Sequence, residues 1–183
     1  MNPNRALLGG VAVLLFAGAL AGYLYGLDSA AVKTATETAA GAFDQVASSY
    51  ANHLLLLDAR NASALLSGYE VNATVEWKGV SGGCDGNYSG AGIGIVLGDL
   101  LNRSTSLVVS NETQAIEAGG SHWVVNSTFD VLGNNTAVGI FHATIASTDS
   151  YVYDGGRWMI ANETWNFLHY DSSFLEGYPR FIC

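Results

Sequence analysis

The sequence predicts an α+β domain that follows a membrane-spanning helix. Three features support this fold class: an uncharged apolar run near the N-terminus, a helical pattern that comes next, and alternating apolar and polar residues in the second half. Short turn signals of the type "AGG", "GNN" and "DGG" separate the alternating segments and indicate a meander of antiparallel hairpins. Helices gathered on one face of such a sheet form an α+β layer arrangement.

Residues 6–27, "ALLGGVAVLLFAGALAGYLYGL", contain no charge, and about 20 apolar residues are enough to cross a bilayer. Arg5 precedes this run and Asp28 follows it. The positive-inside rule then places residues 1–5 in the cytoplasm and the rest of the chain outside the cell. The sequence thus predicts a single-pass protein of the cell membrane whose partner is the lipid bilayer.

Two readings of this run stay open. Small residues around Ala17 and Ala19 resemble the cleavage site of a secretory signal peptide. The run is longer than a usual signal core, however, and Tyr23 and Tyr25 resemble an interfacial anchor. We therefore predict a retained signal anchor, with residues 28–41 as a stalk or helix extension and 42–183 as the extracellular domain.

Eight of the thirteen asparagines lie in Asn-x-Ser/Thr triplets, where composition alone gives about two. Such an excess is typical of an N-glycosylated protein outside the cytoplasm. Together with the low lysine content, it favours an archaeal cell-envelope glycoprotein. The predicted sites are Asn61, Asn72, Asn87, Asn102, Asn111, Asn126, Asn134 and Asn162.

The two cysteines and the charge balance limit the function further. In an oxidising compartment Cys84 and Cys183 are expected to form a disulfide, and no histidine stands at zinc-ligand spacing from them. The formal net charge of −9 excludes nucleic acid as a partner. We predict no metal and no cofactor.

The periodicity predicts helices over 29–58, 62–67 and 93–103, and strands over 69–79, 105–117, 121–132, 137–153 and 157–168. A glycine-rich loop separates the first strand from the third helix. On the third strand Asn126 marks the wet face, so Trp123, Val125, Phe129 and Val131 are expected to point inward.

The last strand is apolar on both faces, because Asn162 shares parity with Trp158 and Ile160. Three explanations are open: a β-bulge that reverses parity, cover by the C-terminal segment, or a protein interface formed by Trp158 and Ile160. Cover by the C-terminus is the first choice, and an interface in a homo- or hetero-oligomer is the second.

Two segments, "LLLLDARNASALLSGYEVNATVEW" and "YDGGRWMIANETWNF", resemble the nuclear transport factor 2-like superfamily, which includes SnoaL-like polyketide cyclases and ketosteroid isomerases. The resemblance implies a cone: a curved antiparallel sheet packed against a long helix and two shorter ones, enclosing a pocket. In isomerase-like members a catalytic Asp follows a stretch similar to "ATVE". Trp77 occupies that place here, so the resemblance implies that this general base is missing.

Tyr50 and His53 lie three positions apart on the first helix and are the candidate acid–base pair. Trp77, Trp123 and Trp165 complete the candidate pocket, and if these three rings fill the cavity the enzymatic hypothesis fails. The other three histidines, at positions 122, 142 and 169, are interpreted as surface or boundary residues.

The sequence therefore predicts a membrane-tethered, N-glycosylated extracellular binding domain, an accessory subunit of a cell-surface assembly rather than an enzyme. One alternative is a pilin-like filament subunit. The other is a small-molecule lyase or isomerase of SnoaL-like type that uses Tyr50 and His53.

Overall fold

The computed structural model describes residues 29–80, 85–119 and 122–172. The chain divides into two compact units, Met1–Val46 and Ala47–Cys183. The second unit contains every element described below except the first part of the first helix. The predicted disulfide between Cys84 and Cys183 lies outside the described residues and stays a prediction.

Three helices match the predicted ones closely. Helix α1 spans Ser29–Asp58, α2 spans Ala62–Leu66 and α3 spans Ala91–Arg103. Along α1 the buried side chains recur at helical spacing, including Tyr50, Leu54 and Leu57, because residues three and four apart share one face of a helix.

The turn between α1 and α2 follows from two residues. Arg60 adopts a left-handed conformation with φ of 54°, which ends α1. Asn61 then caps α2, and its side-chain oxygen accepts a hydrogen bond from the backbone N–H of Ala64 at 3.1 Å.

One six-stranded sheet contains β1 Tyr69–Lys78, β2 Gly86–Ser89, β3 Ser104–Gly119, β4 His122–Asn135, β5 Gly139–Asp154 and β6 Arg157–Ser172. The strand order is β2-β1-β6-β5-β4-β3. The predicted meander of the last four strands is confirmed. Two features differ from the prediction: β1 pairs with β6 in parallel, and β2 forms inside the glycine-rich segment that was predicted as a loop.

The inward face of the sheet forms the core. On β4 the predicted inward residues are all buried: Trp123, Val125, Phe129 and Val131. On β5 every odd-numbered residue from Phe141 to Tyr151 is buried, as expected for a strand with a period of two. Trp77 of β1 stacks on Trp165 of β6 with ring centroids 5.4 Å apart.

A β-bulge explains why β6 is apolar on both faces. Ser150 of β5 pairs with Asn162, whereas the next residue, Tyr151, pairs with Ile160, so Ala161 is an extra residue. Ile160 therefore points inward before the bulge, and Glu163, Trp165 and Phe167 point inward after it. The bulge was one of the three explanations and not the preferred one, and cover by the C-terminal segment is not needed to bury Ile160.

The predicted fold class included a transmembrane helix, and this part is corrected. Among residues 29–80, 85–119 and 122–172 no helix combines the length and the apolarity needed to span a bilayer. The segment for which that helix was predicted, residues 6–27, lies outside the described residues. The fold class that the structure supports is the α+β cone of one curved, six-stranded sheet with a few helices.

All eight asparagines of the predicted glycosylation sites are exposed. Exposure is required for modification but is equally expected of asparagine in general. The description of the chain as a membrane glycoprotein has no further support.

Candidate active site

A histidine and a glutamate meet in the interior of the second unit. His53 lies on the buried face of α1, and Glu163 lies on β6 directly after the bulge. Nε2 of His53 is 3.1 Å from Oε1 of Glu163, and the two side chains are 5% and 0% exposed. Nε2 does not meet the geometry of a regular hydrogen bond, and the contact is an ion pair when the imidazole is protonated.

Two further side chains hold the Glu163 carboxylate. The Tyr69 hydroxyl donates a short hydrogen bond to Oε2, and the Trp165 indole N–H donates to Oε1 at 2.9 Å. With both oxygens bonded, the carboxylate has one orientation. A buried carboxylate without such donors would be costly to maintain.

A second acid lies in the same interior. Asp149 of β5 is fully buried, and its Oδ1 accepts a hydrogen bond from Ser147 Oγ at 2.5 Å. Oδ2 has no hydrogen-bond partner among the described residues. Burial, together with repulsion by Glu163, raises the pKa of Asp149 from 3.8 to about 8, despite the opposing effects of His53 and Ser147. Asp149 therefore holds its proton at neutral pH.

The pKa of His53 is also raised, in this case from 6.5. Burial disfavours the charged imidazolium, but the charge of Glu163, its contact with the ring and the charge of Asp149 together outweigh burial. The cluster thus contains two groups, His53 and Asp149, whose pKa values are both raised by their shared buried surroundings with Glu163.

Two tyrosines lie next to the cluster, and their hydroxyls differ in hydrogen bonding. The Tyr50 hydroxyl donates to Ser127 Oγ at 2.6 Å. The Tyr151 hydroxyl is buried and has no hydrogen-bond partner among the described residues. Burial raises the pKa of both phenols, so both stay protonated. Each is a neutral donor, but only Tyr151 has its hydroxyl unused.

A pocket of about 180 Å³ reaches the cluster. Its wall comes from α1, α2 and the adjoining ends of β5 and β6. The lining residues are Ser49, Asn52, His53, Leu56, Ala64, Leu65, Ser67, Gly68, Tyr151, Arg157, Trp158 and Ile160. His53 and Tyr151 are thus the two members of the cluster that line this pocket.

The structure distributes the predicted pocket residues differently from the prediction. His53 lines the pocket, but Tyr50 does not. Trp77 and Trp165 stack in the core, and a cavity beside Trp165 has a volume of about 10 Å³. Trp123 is buried on β4. None of the three tryptophans lines the pocket at His53, so they do not fill it.

Trp158 and Ile160 belong to the pocket as well. Ile160 is 1% exposed and Trp158 packs edge-on against Tyr153 with ring centroids 5.3 Å apart. Their predicted role as an oligomer interface is not tested. Ile160 in its present position is unavailable to a partner.

Sequence reasoning missed Glu163, Asp149, Tyr69 and Tyr151. A signal was present for Glu163, which shares strand parity with Trp165 and Phe167, two residues expected on one apolar face. A carboxylate on an inward strand face is unusual and indicates a functional role or a buried ion pair.

No model of a protein family matches the chain, and no curated protein matches it. Solved structures do match. A hexachlorocyclohexane dehydrochlorinase, LinA type 2, is 17% identical with a TM-score of 0.61 over 75% of this chain and 90% of that chain. A scytalone dehydratase-like protein from Novosphingobium aromaticivorans is 11% identical with a TM-score of 0.65, over 77% and 93%.

A ketosteroid isomerase-like protein from Erwinia carotovora atroseptica is 12% identical with a TM-score of 0.58, over 69% of this chain and 95% of that chain. These likenesses define the α+β cone fold. The chain has the fold of the nuclear transport factor 2-like, or SnoaL-like, superfamily, which confirms the resemblance inferred from its sequence.

These neighbours correct the predicted function. They favour the lyase or isomerase alternative over the membrane-tethered binding domain and over the prediction that the chain is not an enzyme. The predicted localisation in the cell membrane and the pilin-like alternative receive no support from them or from the described helices.

Proposed function

We propose that this chain is a small-molecule lyase or isomerase that moves a proton with His53. The observation that carries the proposal is the buried His53–Glu163 ion pair at the wall of a small pocket. A histidine held by a carboxylate is the usual arrangement of a general base in proteins. The names of the structural neighbours, a dehydrochlorinase, a dehydratase-like protein and an isomerase-like protein, agree with chemistry of this kind.

The reaction would begin with removal of a proton from a carbon next to an electron-withdrawing group. With Nε2 held against Glu163, Nδ1 is the ring nitrogen that accepts the proton. The electron pair of the C–H bond then forms a carbon–carbon double bond. In an elimination the leaving group departs with its own electron pair, and His53 returns the proton to it. In an isomerisation His53 returns the proton to another carbon.

Tyr151 and Asp149 have separate roles. The unused hydroxyl of Tyr151 would donate a hydrogen bond to the substrate oxygen where negative charge develops. Asp149 does not line the pocket and acts as a positioning residue. Ionised Asp149 would favour the charged imidazolium of His53, but its raised pKa of about 8 keeps it protonated at neutral pH, and the base form of the imidazole stays accessible.

The pocket limits the substrate. Its volume of about 180 Å³ corresponds to about six water molecules of liquid volume and is smaller than pockets for drug-sized ligands. The substrate, or the part that reacts, is therefore small. Arg157 lies at this pocket and favours a substrate that carries an anionic or strongly polar substituent.

A test combines a substrate panel with matched variants. The full-length protein would be incubated in D2O with small cyclic ketones bearing β-hydroxyl or β-chloro groups and with β,γ-unsaturated ketones, followed by proton NMR. We expect protein-dependent elimination or deuterium exchange at the α-carbon of at least one compound. His53→Gln is expected to lower the rate about 10² to 10⁴-fold.

His122→Gln is the matched control, because it removes a histidine from the start of β4 without touching the cluster. It is expected to retain the full rate. A panel without any turnover, or a His53→Gln variant as active as the control, would overturn the proposal.

A further inference from the structure

A second group of polar side chains lies on the outer face of the sheet, away from the pocket. His142 of β5 and His169 and Asp171 of β6 each offer a ligand atom, and these three atoms all lie within 4.8 Å of one another. The ring centroids of the two histidines are 5.9 Å apart. Two imidazoles and one carboxylate form a donor set suited to a divalent transition metal.

This grouping depends on a second β-bulge. Thr144 pairs with His169 and the next residue, Ile145, pairs with Phe167, so Leu168 is an extra residue. Phe167 points into the core and is 6% exposed, whereas Leu168 is 58% exposed. In a regular strand with no bulge at Leu168, His169 would share the inward face of Phe167. The bulge instead directs His169 and Asp171 to the face that His142 occupies.

The carboxylate of Asp171 is fixed in place. Its Oδ1 accepts a hydrogen bond from the backbone N–H of His142 at 2.9 Å. Its Oδ2 lies 3.7 Å from Nε2 of His169. One oxygen is thus anchored, and the other faces the histidine.

Asp130 of β4 supports the group from the side. Its Oδ1 lies 3.7 Å from Nε2 of His142. Both of its oxygens already accept hydrogen bonds, from Thr144 Oγ1 at 2.7 Å and from Asn111 Nδ2 at 2.8 Å. A carboxylate held in this way beside an imidazole is the common outer partner of a metal-bound histidine.

We propose that His142, His169 and Asp171 form a zinc-binding site on the outer face of β5 and β6, with Asp130 orienting His142. Zn²⁺ binds nitrogen and oxygen ligands at about 2.0–2.2 Å in tetrahedral geometry. Ligand atoms at those distances from a tetrahedral metal are about 3.3–3.6 Å apart, so the three at least partly exposed side chains need to close by up to about 1.5 Å, which rotamer changes at a surface allow. Water completes the coordination, and the metal joins the two strands that carry Asp149 and Glu163 on the opposite face.

The test is a zinc titration of untagged, chelator-treated, full-length protein against a chromophoric competitor. We expect one Zn²⁺ per chain. His142→Ala and His169→Ala are each expected to weaken binding at least about 100-fold, and Asp130→Asn about tenfold, as for loss of an outer-shell partner. The three substituted side chains are at least partly exposed, so we expect each variant to keep the fold. Circular dichroism checks this.

His122→Ala is the control and is expected to bind zinc like the unmodified chain. The absorption spectrum of the Co²⁺ form reports the ligand types and should lack bands from thiolate ligands. Either no stoichiometric binding at micromolar zinc or unchanged binding in the double variant His142→Ala/His169→Ala would overturn the proposal.

Discussion

His53 of the first helix and Glu163 of the last strand form a buried ion pair, with 3.1 Å between Nε2 and Oε1. Two donors fix the carboxylate, from Tyr69 and from Trp165. The ring is therefore held by a rigid partner. Removing either side chain leaves the other buried without its partner, which destabilises the fold.

Glu163→Gln should destabilise the protein more at pH 6 than at pH 9. The raised pKa of His53 means that the ion pair stabilises the fold below the unfolded value of 6.5, and that this contribution is lost as pH rises through the folded pKa. We expect a loss of about 1 to 3 kcal/mol at pH 6 and a clearly smaller loss at pH 9. Urea unfolding at the two pH values measures this. Equal losses at both would contradict the ion pair.

Asp149→Asn should stabilise the protein at alkaline pH. The folded state keeps the proton of Asp149 up to a pKa of about 8, while the unfolded state releases it near 3.8, so this group lowers the free energy of unfolding as pH rises between those values. The asparagine cannot ionise, and its side-chain oxygen can still accept from Ser147. We expect a gain of at least about 1 kcal/mol at pH 8.5 and little change at pH 4.5.

Asp154→Asn is the control for that measurement, since it removes an exposed carboxylate at the end of β5. Its unfolding curve should follow the unmodified chain at both pH values. A pH-independent effect of Asp149→Asn would show that Asp149 is ionised in the fold.

Tyr151→Phe and Tyr69→Phe should separate catalysis from stability. Tyr151 has a buried hydroxyl with no hydrogen-bond partner among the described residues. Removing this hydroxyl should change the free energy of unfolding by less than about 0.5 kcal/mol. The turnover of any substrate found should fall about 10² to 10³-fold, as for loss of an oxyanion donor.

The Tyr69 hydroxyl donates a hydrogen bond to Glu163, and removing this hydroxyl in Tyr69→Phe should lower the free energy of unfolding by about 1 to 3 kcal/mol.

Deletion of Ala161 should be tolerated, because Ala161 is the extra residue of the bulge. Ser150 pairs with Asn162 and Tyr151 pairs with Ile160, so joining Ile160 to Asn162 makes these pairs consecutive and leaves Ile160 and Glu163 pointing inward. We expect a loss below about 3 kcal/mol by urea unfolding.

Deletion of Thr164, which pairs with Thr148 in a regular part of the ladder, is the contrast: it must turn the inward residues on one side of it to the outer face, and we expect a loss above about 4 kcal/mol. Equal losses in the two deletions would contradict the bulge.

Local patterns were sufficient to predict the helices and the last four strands. The spacing of Tyr50, Leu54 and Leu57 predicted α1, and the exposed Asn126 predicted the inward face of β4. Each of these patterns lies within a single helix or strand. The four residues of Gly86–Ser89 are too short and too rich in turn residues to predict a strand.

The site depends on relations that one element cannot reveal. His53 was paired with Tyr50 because the two share a helix face, but its partner lies on β6 and faces inward only because of the bulge at Ala161. No sequence pattern indicates which residue of a strand is the extra one. Asp149 was missed because its neighbours on β5 carry small polar side chains, which hide the alternation.

The titration of His53 tests the central claim most directly. Nitrogen-15 NMR of the ring distinguishes Nδ1 from Nε2 and follows the protonation of each, with His53→Gln used for assignment. We expect Nε2 to stay protonated throughout, and Nδ1 to titrate above pH 6.5 in the unmodified chain and at lower pH in Glu163→Gln. A ring that titrates at or below 6.5 in the unmodified chain, or that keeps its proton on Nδ1 when neutral, would contradict it.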